Sequence, residues 1–327
     1  MQTILRYDGI EFTIWAEKSF ESIVNEYFVV KDDLGDIHRK INICFCGICG
    51  CNDYKTDDFL ITKKNYMDVE YKIYKEKSCA VINYISEEEL YGRHVYRKLS
   101  ENEYEVYSID NSEKNGMQWV IRLIRELLLE MYIEDGFVPV HASGIDIYGG
   151  AVLFIGNKGS GKTTSMFSCA TNEKCKVVSN DMVFLKVEED GICVKGWPWC
   201  VTIGNELMAE TQFKHLINNT ISKVRFTPKE FEESMPCNWI WESRLKKVVF
   251  PKIVVGKRLE VKTLEKIVVQ SRLINEGTEY TEIPILLKMK TIECDFNKVF
   301  DFVAENVEGI VIEGEFWKYK KEFISYM

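Results

Sequence analysis

Gly156, Asn157, Lys158, Gly159, Ser160, Gly161, Lys162 and Thr163 follow one another in the order G-x-x-x-x-G-K-[ST], with Thr164 next in line. The chemistry this pattern suits is capture of a polyphosphate. Phosphate oxygens need several donors converging on one point, and successive backbone N–H groups supply them only where the chain curls tightly. Gly156, Gly159 and Gly161 permit such a curl, because glycine tolerates positive φ and leaves room beside the backbone. In this pattern Lys162 reaches the β- and γ-phosphates of a nucleotide and the Thr163 hydroxyl ligates Mg²⁺. Ordinary residue frequencies produce the pattern by chance in roughly one chain per hundred of this length.

An acidic signal lies close by. Residues 176–181 read as an apolar strand, Lys176-Val177-Val178-Ser179, that ends in Asn180-Asp181. An aspartate after two valines is most often a turn or cap residue. Next to a phosphate-binding loop it is also the carboxylate that Mg²⁺ needs, held directly or through water. Asp181 and Thr163 are therefore the expected metal ligands, and ATP with Mg²⁺ the expected cofactors.

These residues need a strand before the loop and a helix after it. Ala151-Val152-Leu153-Phe154-Ile155 is an unbroken apolar run of the kind buried in mid-sheet. From Lys162 to about Ala170 a helix would aim its partly positive N-terminus at the same anion. Further upstream, Ile121, Leu123, Ile124, Leu127, Leu128 and Met131 recur at helical spacing, and Gly136 supplies a C-terminal stop. Apolar runs over 137–140 and 145–148 lead to a turn at Gly149-Gly150. Before residue 112 the chain has short β-leaning runs at 12–15, 27–30, 41–45 and 79–82, which predict an antiparallel sheet with few helices. The expected division is a β-rich domain over 1–112 and an α/β nucleotide-binding domain over 113–327.

Val138-Pro139-Val140-His141-Ala142-Ser143-Gly144, then the loop, then Ser179-Asn180-Asp181-Met182-Val183-Phe184-Leu185, resembles the HPr kinase/phosphorylase family, and more closely the related serine kinases. The resemblance covers about residues 116–260. It implies a P-loop nucleotide-binding fold shared with ATP-dependent phosphoenolpyruvate carboxykinase, α/β in that domain and α+β over the chain. It further implies a role for His141 near the metal or the reacting phosphate, where the residue alone would read as a core histidine. The sequence departs from the family at Asn180. The family has an acidic pair there, whose first carboxylate takes the acceptor's proton. An amide cannot act as a general base, although it can orient a hydroxyl or a water. Asp181, with His141, is left to accept the proton, and Lys162 completes the expected catalytic set. A loose transition state tolerates a poor base, because charge stabilisation does most of the work.

Composition sets the outer bounds. The 327 residues are 46% hydrophobic and 28% charged, enough for a real core, and the formal charge of −9 gives no electrostatic footprint for nucleic acid. Lys246, Lys247, Lys252, Lys257 and Arg258 form a local basic strip whose ordinary reading is a solvated face. The first residues lack the apolar segment of a secretion signal, and no stretch approaches the roughly 20 apolar residues of a membrane span. Eleven scattered cysteines, an odd number, argue for reduced thiols and a cytoplasmic location. Four of them, Cys44, Cys46, Cys49 and Cys51, fall within eight residues. Zinc sites usually pair two such knuckles from separate segments, so plain thiols are the ordinary reading and a metal site the sharper one.

Lys223 and Arg225 would suit a transferring phosphoryl group but read first as surface charge. Trp197-Pro198-Trp199 and Trp239-Ile240-Trp241 read as core aromatics. Phe300, Phe302, Val303, Phe316, Trp317, Tyr319 and Phe323 read as amphipathic helix. The sequence thus predicts an ATP-dependent kinase acting on a Ser or Thr hydroxyl of a protein or peptide, a ribosomally made peptide included. No nucleic-acid or membrane partner is expected, a homo-oligomer is left open, and the layout assigns acceptor recognition to residues 1–112. A nucleotide-binding regulatory module with little turnover and a small-molecule kinase are the alternatives.

Overall fold

The computed structural model describes residues 1–29, 36–48, 61–64, 69–74, 79–84, 93–108, 113–197, 199–209, 214–217, 222–278 and 295–327. Val30, Cys49, Cys51 and Pro198, named above, lie outside them. The described residues fall into two compact units, one within Met1–Met131 and one from Tyr132 onward, in a mixed α/β arrangement with several sheets. No helix among them is long and apolar enough to cross a membrane.

In the first unit β1 (Gln2–Tyr7) and β2 (Ile10–Trp15) form a hairpin. Its turn, Asp8-Gly9, has φ of 52° and 70°. Two positive values in succession match the right-handed twist of the flanking strands, and Asp-Gly is the dipeptide that tolerates them. Helix α1 (Glu21–Tyr27) follows, then β3 (Arg39–Ile48), β4 (Ile61–Lys64), β5 (Val69–Tyr74), β6 (Cys79–Tyr84), β7 (Arg93–Ser100) and β8 (Glu103–Ser108). Among the described residues these eight strands make one sheet in the order β1-β2-β3-β8-β7-β6-β5-β4. The antiparallel expectation holds except at β2–β3 and β3–β8, which are parallel. The strand expected over 27–30 is also corrected at Tyr27, Phe28 and Val29, none of which lies in a strand. Tyr27 ends α1, whose buried Val24 and Tyr27 stand three residues apart on one helical face.

Helix α2 (Glu113–Glu134) precedes the second unit's strands and stops where Gly136, at φ 86°, sends its N–H back to the Ile133 carbonyl at 3.0 Å. There follow β9 (Val138–Val140), β10 (Ala142–Ile147), β11 (Gly150–Ile155), α3 (Lys162–Ala170), β12 (Cys175–Ser179), β13 (Val183–Glu188), β14 (Gly191–Lys195), β15 (Val201–Gly204), α4 (Asn205–Ala209), a 3-10 turn at Lys214–Leu216, β16 (Lys223–Phe226), α5 (Pro228–Ser234), β17 (Asn238–Trp239), β18 (Glu242–Ile253), β19 (Glu260–Thr263), α6 (Lys266–Gly277), α7 (Phe296–Asn306), β20 (Glu308–Gly314) and α8 (Lys320–Ser325).

Strand β11 sits between β10 and β18, and its alternate residues divide between two cores. Val152 and Phe154 pack with Met166, Phe167 and Ala170 of α3. Ala151, Leu153 and Ile155 pack with Val269 and Leu273 of α6 and Val299, Phe300 and Val303 of α7. Burial on both faces accounts for the unbroken apolar run, since a half-buried strand would alternate. Each fully buried side chain of this size contributes about 1.5–3 kcal/mol by removal from water. The single amphipathic helix read over residues 300–323 is corrected: β20 intervenes. Phe300 and Val303 lie on α7, Phe323 on α8, and Phe316 and Tyr319 in the turn between β20 and α8.

Candidate functional site

Strand direction gathers the chemistry at one edge. β10 runs antiparallel to both β11 and β12, so the C-terminal ends of β11 and β12 lie beside the N-terminal end of β10. Ala142 pairs with Ile155, the residue before Gly156, and its N–H donates to the Asp181 carbonyl at 3.2 Å. β18 and β20 run parallel to β11 and deliver their own C-terminal ends to the same edge. There the Ile253 N–H donates to the Ser160 carbonyl at 3.2 Å, fastening the glycine-rich loop to β18.

The loop between β11 and α3 owes its shape to three glycines. Gly159 and Gly161 have φ of 86° and 113°, and Gly161 caps α3 in the left-handed region. A Cβ on Gly156 would lie 2.6 Å from Ser160 Oγ, and one on Gly161 2.8 Å from Ile253 Cγ1. Lys162, the first residue of α3, is buried. It turns its ammonium back to donate to the carbonyls of Gly156 at 2.5 Å and Asn157 at 3.4 Å. Asn157, Lys158 and Gly159 are exposed, Thr163 and Thr164 half-buried. Ser160 Oγ and Ser165 Oγ are buried with no hydrogen-bond partner among the described residues. An α-helix leaves its first N–H groups without intrahelical partners and carries positive partial charge there, so this end of α3 can receive an anion.

His141 links β9 to β10. Its N–H donates to the Gly277 carbonyl at 2.8 Å, and its Nε2 stands 3.5 Å from Asp181 Oδ1. The ring is nearly buried at 11% while the carboxylate is 52% exposed, so the pair opens outward through Asp181. Asn180, beside it, is buried. Its Nδ2 donates to the Cys200 carbonyl at 3.3 Å, its own carbonyl accepts from Ser143 Oγ at 2.5 Å, and its Oδ1 has no hydrogen-bond partner among the described residues. The structure thus brings His141, Asp181 and the start of the loop to one sheet edge, with Asn180 as the inner wall.

Gly196, Trp197 and Cys200 meet that wall at Val178, Ser179 and Asn180. Gly196 crosses β12 so closely that a Cβ there would stand 2.1 Å from the Val178 carbonyl oxygen. Trp197 is buried against Phe184 at 5.3 Å, as expected of a core aromatic. Trp199 is half-buried, and the Arg225 guanidinium lies over its ring at 5.7 Å. Arg225 and Lys223 are exposed on β16, which pairs with β15 just past Cys200. Of the basic strip, Lys247 pairs with Glu308, Lys252 with Glu313, Lys257 with Glu260 and Glu313, and Arg258 with Glu322.

Sequence reasoning missed the contribution of α6. Glu276 Oε2 lies 3.3 Å from where a Cβ on Gly156 would stand, and Gly277 holds the His141 backbone. Arg272 bonds Glu276 at 2.6 Å and lies over the Phe250 ring at 4.4 Å. An Arg and a Glu four residues apart on a helix read as an ordinary surface pair, and their distance from the loop along the chain offers no signal.

No protein-family model matches the chain, and no curated protein matches it. Among solved structures, the Hpr(Ser) kinase/phosphatase from Coxiella burnetii is similar over 58% of this chain and 95% of that chain, at 12% identity and a TM-score of 0.29. Likeness at that level decides neither fold nor chemistry.

Proposed function

We propose that the chain is an ATP-dependent kinase that passes the γ-phosphoryl group to a Ser or Thr hydroxyl of a protein or peptide. The observation that carries this reading is the meeting, at one sheet edge, of the G-x-x-x-x-G-K-T loop with a histidine–aspartate pair. Residues 156–164 form the phosphate cradle. Lys162 already spends its donors on loop carbonyls, so an incoming phosphate exchanges weak neutral acceptors for charged ones. The buried Ser160 hydroxyl supplies a donor that gains a partner when phosphate arrives.

Thr163 and Asp181 would hold Mg²⁺, which neutralises charge on the β- and γ-phosphates. In the transfer, the bond from the γ-phosphorus to the β–γ bridging oxygen breaks and one to the acceptor oxygen forms, with ADP leaving. The acceptor proton passes to Asp181, beside which His141 Nε2 stands. Asn180 Oδ1 is a buried acceptor with capacity for the acceptor hydroxyl or a water, which suits orientation rather than proton abstraction.

The test combines binding and turnover. Mg·ATP affinity is measured for the parent and for Lys162→Met, with transfer from γ-labelled ATP to Ser- and Thr-bearing peptides. The substitution should weaken binding by roughly two orders of magnitude and abolish transfer, because hydrogen bonds to charged groups are worth about 1.5–3 kcal/mol each. Equal binding by Lys162→Met would sink the site. Tight, Lys162-dependent binding without transfer to any hydroxyl would instead support a nucleotide-binding regulatory module, a reading that the amide at Asn180 favours.

A further inference from the structure

The short cysteine-rich segment plays no part in the kinase reading, and its first two thiols have a geometry of their own. Cys44 and Cys46 stand two residues apart on β3, so their side chains emerge from the same face. Both are exposed, and Cys46 Sγ approaches Cys44 Sγ to 3.5 Å. The parallel neighbour β8 sets Glu105 directly opposite Cys44. Tyr107, two residues further along β8, stands beside Cys46 and donates its hydroxyl proton to Glu105 Oε2 at 2.7 Å. Two sulfurs, a phenol and a carboxylate therefore form one continuous polar patch on a sheet face.

Sulfur spacing separates the two uses such a pair could have. A disulfide needs the sulfurs at about 2.05 Å and Cα atoms usually no more than about 6.8 Å apart. Residues i and i+2 of a strand are already about 6.6 Å apart, at the upper end of that range, so β3 would have to buckle to close the bond. A tetrahedral ion with metal–sulfur bonds of about 2.3 Å instead wants its two sulfurs about 3.8 Å apart. The observed 3.5 Å is within a few tenths of that bite with the strand left as it is.

We propose that Cys44 and Cys46 form a chelating dithiolate site for a thiophilic divalent cation, with Zn²⁺ as the reference ion, on the exposed face of β3. The Cys44 and Cys46 sulfurs would supply two of the ion's ligands, and among the described residues no group of three or more His, Cys, Asp or Glu is placed to hold a metal ion. Glu105 lies beside the pair and offsets the cation's charge. Arg97 of β7 pairs with Glu105 at 3.4 Å and keeps that carboxylate anchored. Binding displaces both thiol protons to solvent.

The experiment uses the full chain, metal-free and reduced, with Co²⁺ as the spectroscopic probe and Zn²⁺ as the competitor. One equivalent of Co²⁺ should give a thiolate-to-cobalt charge-transfer band, removed by Zn²⁺ and lost in the double variant Cys44→Ser, Cys46→Ser. In the unmodified chain, Zn²⁺ should slow alkylation of Cys44 and Cys46, read by peptide mass, by about tenfold or more. That second measurement does not depend on the variant folding. A Co²⁺ band that survives the double substitution overturns the proposal, and so does alkylation of both thiols at the same rate with and without Zn²⁺.

Discussion

Replacing Gly161 by alanine, beside the same change at Gly159, separates backbone strain from lack of room in the loop. Both glycines lie at positive φ, 86° at Gly159 and 113° at Gly161, so each alanine is strained by its backbone alone. For Gly159 that is the whole effect, about 1–2 kcal/mol, because a Cβ there meets nothing within 4 Å. For Gly161 the Cβ would sit 2.8 Å from Ile253 Cγ1 and 3.2 Å from Phe316 Cε2. Neither neighbour yields readily: the Ile253 N–H holds the Ser160 carbonyl, and Phe316 is fully buried and stacked on Phe323 at 5.0 Å. Overpacking of that kind adds about 1–3 kcal/mol, which brings Gly161→Ala to about 2–5 kcal/mol in all. The assay is amide exchange of the α3 peptide under increasing urea, since two compact units need not melt together. Mg·ATP binding is measured alongside, with Gly161→Ala losing it and Gly159→Ala keeping it. Equal losses of α3 protection in the two variants would refute the reasoning, because only Gly161 has a neighbour to strike.

Three shorter predictions follow from the same unit. Asn180→Asp exchanges the Nδ2 donor to Cys200 for an oxygen facing a carbonyl, so it should cost about 1–3 kcal/mol in urea unfolding. It should also raise the transfer rate by adding a second carboxylate, and an unchanged rate would assign proton acceptance to Asp181 and His141 alone. Glu313 is held down to about 2 by Lys257 and then Lys252. A depressed folded pKa contributes stability that is present above about 4.5 and lost as pH falls towards 2, so Glu313→Gln should flatten the acid limb of the unfolding curve in that window. Burial pushes Cys193 and Cys237 up to about 12. Peptide mapping after iodoacetamide at pH 8 should find both unlabelled in the native chain and labelled on unfolding.

Local structure around the loop was legible because short-range rules govern it. The helix expected from Lys162 to Ala170 is α3 with those bounds, and the apolar run ending at Ile155 is β11. Gly136 stops α2 as its position predicts. Errors arose where two periods compete. Gly309-Ile310-Val311-Ile312 carries a β-branched strand signal, yet aromatics at helical spacing on both sides hid β20 inside a presumed helix. At residues 27–30, four consecutive apolar side chains read as strand, while the determining feature was the Val24–Tyr27 spacing just before them. The parallel neighbours of β3 were not readable at all, because pairing partners are set by the whole sheet rather than by the strand.

The site follows the same division. The proposed phosphate cradle is readable from eight consecutive residues, since its amides, its ammonium and its hydroxyl all lie within one short stretch of chain. The partner groups are a matter of topology: His141 meets Asp181 only because β10 runs antiparallel between β11 and β12 and so returns its first residue to the edge where both neighbours end. Had β10 run the other way, His141 would stand a strand length from the loop, about 20 Å for six residues. Glu276 belongs to this second kind entirely. Its carboxylate faces Gly156, where Mg·ATP would bring more negative charge, and Arg272 is the cation that keeps it quiet. Removing that cation with Arg272→Met should therefore weaken Mg·ATP binding through the Glu276 carboxylate it holds, and adding Glu276→Gln should restore it. If the single variant binds like the parent, the Glu276 carboxylate does not act on the loop and α6 only fastens the His141 backbone through Gly277.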